Sequence, residues 1–442
     1  MKKGTAVLLI LMLVFLCFTG CSSNNKPVAS SEPTQTASPT EPSSSDESAE
    51  PVHLKMTFWG NETYQAMYEK IIDLYQTQYP NVEVEPILIP YSEYNNKITV
   101  MLTSGAPPDV GWLASDFVTE YIANDALVDL SKEVIDDPDF DFDDIYASTT
   151  WHLRDGDALY GVPTNAAPKV IFVNKDLLNA AGLADPNTLG KEWTNEKRLE
   201  YAKAMTDPAK GIYGMNIIAD WKNWYGGLLN LIWAYGGNVM SDDNKEFVFD
   251  SPETAEALQF FCDSMFKYKV HPMPGAQVSF DSGQIGLWED NYSYAGKLPD
   301  VSFDWDIAPL PYGKNDEPIW VGSSCMAAFK EGEHHEEAIN LVKAITGKEG
   351  EEILMTLIPP SRKSLQESDS FLTKKNPPSQ EGIRSALIDR LSGPGKCFIT
   401  PPNWSQINAA IQSNLDELFG QTADVQTVLD KIDEEVKPLL NN

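Results

Sequence analysis

From Val52 the chain alternates: Val52, Leu54, Met56 and Phe58 are apolar, His53, Lys55 and Thr57 are polar, and Trp59 closes the run. That is the period of a strand with one buried face. Tyr64, Met67, Tyr68, Ile71, Ile72 and Tyr75 then recur at three- and four-residue steps, predicting an amphipathic helix. Pro80-Asn81 stops it, and Val82-Glu83-Val84-Glu85 opens a second alternating strand. Strand, helix, strand predicts a parallel βαβ unit with a right-handed crossover. Ligands of such sheets bind beyond the carboxyl ends of the strands, which puts Trp59-Gly60-Asn61-Glu62 on a binding rim.

The pattern continues. A helix is expected around Tyr94–Thr103, a strand at Asp109–Leu113, a strand at Ile171–Val173 and a helix near Asp176–Ala181. Pro252, suited to a first helical turn, opens a helix over Glu253–Phe266, and Ile285-Gly286-Leu287-Trp288 reads as a buried strand. Helices at Glu336–Thr346, Ser405–Leu418 and Asp424–Val436 finish the chain. The class is α/β.

The amino terminus follows other rules. Lys2 and Lys3 precede an unbroken apolar run from Ala6 to Phe18, too short for a membrane span and right for a signal-peptide core. The run ends in Phe18-Thr19-Gly20-Cys21, which resembles a bacterial lipobox and implies diacylation of the Cys21 thiol, although Phe18 departs from the usual Leu. Residues 22–51 are rich in Ser, Thr, Pro and Glu without apolar period, so they are expected to form a disordered tether. As a coil it would reach ~30 Å. The body is therefore expected on the outer face of the cell membrane, held through lipid.

Charge narrows the partners. The 442-residue chain has 33 basic and 65 acidic side chains, a formal net charge of −32. Setting aside two lysines in the leader, and one lysine against five acids in the tether, leaves −30 on the body. A surface this acidic argues against nucleic acid and against a basic membrane-docking face. Three cysteines remain after the leader, namely Cys262, Cys325 and Cys397, with no zinc spacing, and Cys262 lies on the apolar face of its helix. Asp137, Asp139, Asp141 and Asp143 alternate, but Phe142 and Ser148 stand where a calcium loop needs Gly and Glu. No metal or cofactor is expected.

Several runs together resemble the family 1 extracellular solute-binding proteins, the maltose-binding-protein-like lipoproteins of ABC sugar importers. They are TFWGNE (57–62), YSEYNNKITVMLTSGAPPDVGWLASD (91–116), DALYGVPTN and IFVNKDLLNAAGL within 157–183, YGGNVMSDDNKEFVFDSPETAEALQFF (235–261), FDWDIAPLPYG (303–313) and PPSRKS (359–364). Their order and spacing carry the resemblance more than any single run. It implies a two-lobed periplasmic-binding-protein-like fold with a hinged interlobe cleft. One lobe would hold 52–165 with 310–350, and the other 166–309 with 351–442. Chain crossings would fall near Asn165, Pro309 and Ile358. It also implies a monomer that binds carbohydrate and hands it to the transmembrane subunits of an ABC permease.

Sugars present apolar C–H faces and vicinal hydroxyls, so a sugar cleft needs aromatic faces with Asp, Asn, Glu or backbone partners. Trp59, Asn61 and Glu62 lie on the derived rim, and Asn165 at a crossing. Asp116 follows the DVGW strand where the family has an acid gripping hydroxyls, and a helix N-cap would look similar. Trp221, Trp224 and Tyr225 cluster after a strand, and Trp288, Asp290 and Tyr292 end another. Trp320 and Gly322 resemble the family's Gly-bearing strand, Arg362 lies in PPSRKS, and Trp404 opens a helix. Trp151, Trp193, Trp233 and Trp305 are assigned to packing. With Lys222 and Arg362 as the cations near these segments, a neutral oligosaccharide is expected. The competing readings are a surface-anchored glycoside hydrolase, for which no GxSxG elbow or HExxH pair exists, and a ligand sensor for a membrane receptor.

Overall fold

The computed structural model describes residues 50–441, apart from 116, 219–223, 242–244, 274, 299, 315–318, 374–376, 394, 397, 399–400 and 402. The leader with Cys21, residues 22–49 of the tether, Asp116, Trp221, Lys222 and Cys397 lie outside the described residues.

The main elements begin with β1 (Val52–Trp59), α1 (Glu62–Gln78), β2 (Val82–Ile89), α2 (Tyr94–Thr103), β3 (Val110–Ala114) and the short β4 (Val162–Pro163). There follow β5 (Ala167–Asn174), α3 (Asn195–Met205), β6 (Tyr213–Asn216), α4 (Tyr225–Tyr235), α5 (Pro252–Phe266), β7 (Ile285–Asn291), β8 (Trp305–Ala308) and β9 (Ile319–Gly322). The chain ends with β10 (Ser324–Ala328), α6 (His335–Thr346), α7 (Lys348–Leu354), β11 (Gly395–Lys396), α8 (Trp404–Phe419) and α9 (Val425–Val436).

Two sheets organise two lobes. The first has strand order β2-β1-β3-β10-β4, with β1 parallel to β2 from Val52↔Val82 to Trp59↔Ile89. α1 is the crossover, and the spacing read from sequence buries Tyr68, Ile71, Ile72 and Tyr75 against this sheet. The second sheet has order β11-β9-β5-β7-β6, with β8 also pairing with β5. Its strands are covered on both faces, by one cluster around Trp193, Trp224 and Phe261 and another around Phe172, Trp288 and Trp305. This is why β5 reads as a near-continuous apolar run instead of alternating. Cys262 is buried in the first of these clusters, as its helix face implied.

The chain passes between lobes at residues 164–166, between β4 and β5, again at Ser323, between β9 and β10, and a third time after Leu354. The crossing expected near Pro309 is therefore displaced. After β8 the chain still returns as β9, pairing Val321 with Pro168, before it leaves. The first lobe's core also extends beyond residue 350 to Leu354, while Met355 belongs to the second lobe. Trp193, Trp233 and Trp305 are buried, but Trp151 is an exposed residue that meets His152 edge-on.

Candidate functional site

The carboxyl ends of β1 and β3 converge on one wall of a cavity of about 560 Å³ between the two sheets. Trp59, the last residue of β1, sits at the centre of an aromatic group: Tyr91 and Trp112 each meet it edge-on with centroids 5.3 Å away, and Tyr64 lies at 5.7 Å. Gly60 makes this arrangement possible. Its φ is +152°, and a Cβ there would stand 2.6 Å from Tyr64 Cβ, so only glycine lets α1 begin this close to the strand end.

Asn61 and Glu62 do not line the cavity. Asn61 is the N-cap of α1, its Oδ1 accepting from the Thr63 and Tyr64 N–H groups at 3.0 and 3.2 Å. Glu62 is exposed in the first turn, where a carboxylate suits the helix dipole. Both residues stand at the strand end that topology implies, but a cap and a ligand contact draw on the same residue types.

The opposite wall comes from the second lobe: Lys169 of β5, Asp290 and Asn291 of β7, Tyr225 and Gly226 of α4, and Trp320 of β9. Trp320 and Tyr225 have centroids 6.2 Å apart. The Trp320 N–H donates to Asn230 Oδ1 at 2.9 Å, and Asn230 Nδ2 donates to Glu289 Oε1 at 3.3 Å. Glu289 also takes Arg198 Nη1 at 2.8 Å, so a buried polar chain holds the backbone under Trp320. Desolvation pushes the Glu289 carboxyl up, opposed by Arg198 and then by Lys169.

Two of the three interlobe passages meet at the base. Asn165 Oδ1 accepts the Ser324 N–H at 2.9 Å, tying the first passage to the second. Gly322, Ser323, Ser324, Ile358 and Pro359 complete the lining. Ser323 Oγ lies 3.3 Å from His152 Nε2, and burial takes that histidine down to about 3, so it is neutral.

Of the residues expected at the site, Trp59, Asn165, Tyr225, Asp290, Trp320 and Gly322 come together in this cavity. Others are placed elsewhere. Trp224 is fully buried, with Nε1 donating to Asn408 Oδ1 at 2.8 Å, because its side chain points into the second lobe's core. Trp288 is buried behind the wall, where Nε1 donates to Asp290 Oδ2 at 3.1 Å. Tyr292 borders a separate cavity of about 40 Å³ with Met355 and Phe371, and burial pushes its phenol up to about 12. Trp404 packs on Phe398 and Tyr225 with centroids 4.8 and 5.7 Å away.

Arg362 is not a cleft cation. It is 1% exposed and bonds the carbonyls of Thr346, Phe140 and Asp141 at 3.0–3.1 Å. An arginine with buried carbonyls for partners and one facing a ligand are identical in sequence.

Sequence reasoning passed over Tyr91, Trp112, Ser115 and Lys169. Tyr91 follows β2 and Trp112 lies near the end of β3, so the strand-end rule applied to every strand of the sheet would have found both. Lys169 carried a different signal, a lone charge at the head of a strand otherwise apolar on both faces.

The model of the bacterial extracellular solute-binding protein family matches residues 59–352. An arabinooligosaccharide-binding protein of Bacillus subtilis is 23% identical over 375 residues, covering 79% of this chain and 77% of that one. A maltotriose-binding protein of Pyrococcus abyssi is 23% identical over 402 residues, 86% of this chain and 82% of that one. Among solved structures, the sugar-binding protein MalE of Xanthomonas citri superposes with TM-score 0.76 at 18% identity, over 88% of this chain and 98% of that one. The cyclic alpha-maltosyl-1,6-maltose binding protein of Arthrobacter globiformis gives 0.75 at 19% identity, over 89% and 100%. These relatives and structures are solute-binding proteins, and none is an enzyme. With a family match over most of its length and a two-lobed α/β fold around an aromatic cavity, the chain belongs to the bacterial extracellular solute-binding proteins and is not an enzyme.

Proposed function

We propose that this chain is the lipid-anchored, extracytoplasmic component of an ABC sugar importer. It captures a neutral oligosaccharide between its lobes and presents the closed, liganded form to a permease. One observation carries the reading: Trp59 and Trp112 on one wall and Trp320 and Tyr225 on the other line a single cavity that also holds Asn165, Asp290 and Lys169. Aromatic faces suit the C–H faces of sugar rings, and the amide, carboxylate and ammonium suit their hydroxyls. Two passages linked through Asn165 and Ser324 give a place about which the lobes can hinge, and a ligand touching both walls favours closure through its extra contacts there. The likeness to arabinooligosaccharide- and maltotriose-binding proteins supports the same ligand class.

The deciding experiment is a thermal-shift and calorimetric screen of neutral mono- and oligosaccharides against uronates, polyamines and peptides. A ligand specific to the native state raises its melting temperature by mass action. Tight binding of a neutral oligosaccharide, without release of reducing sugar, is the expected result. Binding confined to peptides or polyamines rejects the proposal.

A further inference from the structure

Lys169 combines features that the fold by itself does not explain. It is 8% exposed, yet it borders the interlobe cavity. Among the described residues its ammonium has a charge interaction with Glu289 but no hydrogen bond and no ion pair within 4 Å. The nearest candidate anion, Glu289, is already taken by Arg198 at 2.8 Å and Asn230 at 3.3 Å. Register explains the proximity: on antiparallel β5 and β7, Lys169 pairs with Asn291 and Ile171 with Glu289, so Lys169 and Glu289 are diagonal neighbours on one face.

A second feature adds to the first. Lys169 Nζ abuts the opening turn of α4, where a Cβ on Gly226 would stand 3.6 Å from it. That helix end carries the positive pole of the backbone dipole. A buried ammonium beside a positive helix end, with no hydrogen-bond acceptor among the described residues, is electrostatically costly, and the charge of Glu289 offsets only part of that cost. It becomes favourable when an electron-rich atom enters the cavity.

We propose that Lys169 is the anchoring donor of the second lobe, its ammonium bonding an acceptor oxygen of the bound sugar. The inference rests on the reading of this cavity as a sugar site. Asp290, at the same strand end but on the other face of the sheet, is the complementary acceptor, held in place by the Trp288 indole at 3.1 Å and the Asn291 N–H at 2.7 Å. Among the described lining residues there is one cation and one anion, a balance that suits an uncharged polyol better than a uronate. The Gly226 position leaves room for the ammonium, while the aromatic faces set the ring planes.

The test compares the parent chain with Lys169→Met and Lys169→Arg, using maltotriose, arabinotriose and the best neutral binder from the screen. Lys169→Met keeps the length of the side chain and removes its charge. It should weaken binding at least tenfold while the ligand-free protein melts at the same or a higher temperature. Lys169→Arg should recover part of the affinity. Unchanged affinity in Lys169→Met overturns the assignment, as does a loss matched by a lowered ligand-free melting temperature in both variants. A uronate that binds the parent at least tenfold more tightly than its neutral counterpart overturns the charge-balance argument. If the parent binds no saccharide, the failure lies in the sugar-site reading itself, and the anchoring role falls with it.

Discussion

Arg198 and Glu289 form an ion pair of 2.8 Å in which both side chains are 2% exposed. Its carboxylate also receives Asn230, whose other end fixes the Trp320 backbone on the cavity wall. Removing one partner strands a charge in the interior, which costs about 3–5 kcal/mol. Arg198→Met should therefore lower the stability of the protein by about that amount in urea unfolding. It should also weaken ligand binding, because the chain of bonds under Trp320 loses its anchor. A variant as stable as the parent would show that the pair is not structurally needed.

Trp59 and Trp224 look alike in sequence, each in an aromatic-rich segment next to a strand end, but the fold separates them. Trp59→Ala removes a cavity-facing ring and should weaken sugar binding by about 10- to 100-fold, or about 1.4–2.8 kcal/mol, with a small change in melting temperature. Trp224→Ala empties a fully buried site and should cost about 3–5 kcal/mol of stability. Calorimetry paired with thermal unfolding separates the two. Equal affinity in the Trp59 variant would remove the first wall from the site.

Which parts of this molecule were legible follows from these cases. The βαβ opening was readable because one face of β1 and one face of α1 meet solvent, so periodicity survives in the sequence. Strand ends on a rim follow from topology alone, which is why the pattern places Trp59 beside the cavity. The orientation of Trp224 and the carbonyl partners of Arg362 are set by tertiary contacts such as Asn408, far away along the chain, whereas the capping role of Asn61 is local and shares its residue type with a ligand contact. The displaced crossing has the same origin, since a short apolar strand such as β9 reads identically whichever sheet it joins.

Glu351 gives a pH prediction at the base of the first lobe. It is fully buried, and desolvation pushes its carboxyl up to about 7, against hydrogen bonding from Ser361 and the nearby Arg362 guanidinium. Its amide partners are the N–H groups of Ser361 at 2.8 Å and Arg362 at 3.1 Å. The folded state thus keeps a proton that the unfolded chain releases above its ordinary value of 4.5. Stability from this group is intact below that value and is lost as pH rises to about 7, by about 3 kcal/mol in all. Glu351→Gln copies the protonated acid, so parent and variant should melt alike at pH 4.5 and the variant should gain on the parent towards pH 8. A difference that is flat with pH, or that opens in the opposite sense, rejects the account.

Cys21 provides a test of where the protein works, independent of the cleft. The apolar run from Ala6 to Phe18 is shorter than the roughly 17–25 residues of a membrane span, and the proposed anchor is therefore lipid on Cys21. A diacylated thiol would supply that anchor, because two acyl chains hold a protein to a membrane where one binds only reversibly. Residues 22–51 separate the thiol from the body, so its loss should leave the cavity untouched. Cys21→Ala should move the protein from the membrane fraction to the soluble extracytoplasmic fraction and abolish incorporation of labelled palmitate. Its sugar affinity should stay within about twofold of the parent, since nothing in the cavity depends on the anchor. A Cys21→Ala protein that still sediments with membranes would refute lipid anchoring at this residue without affecting the assignment of the binding site.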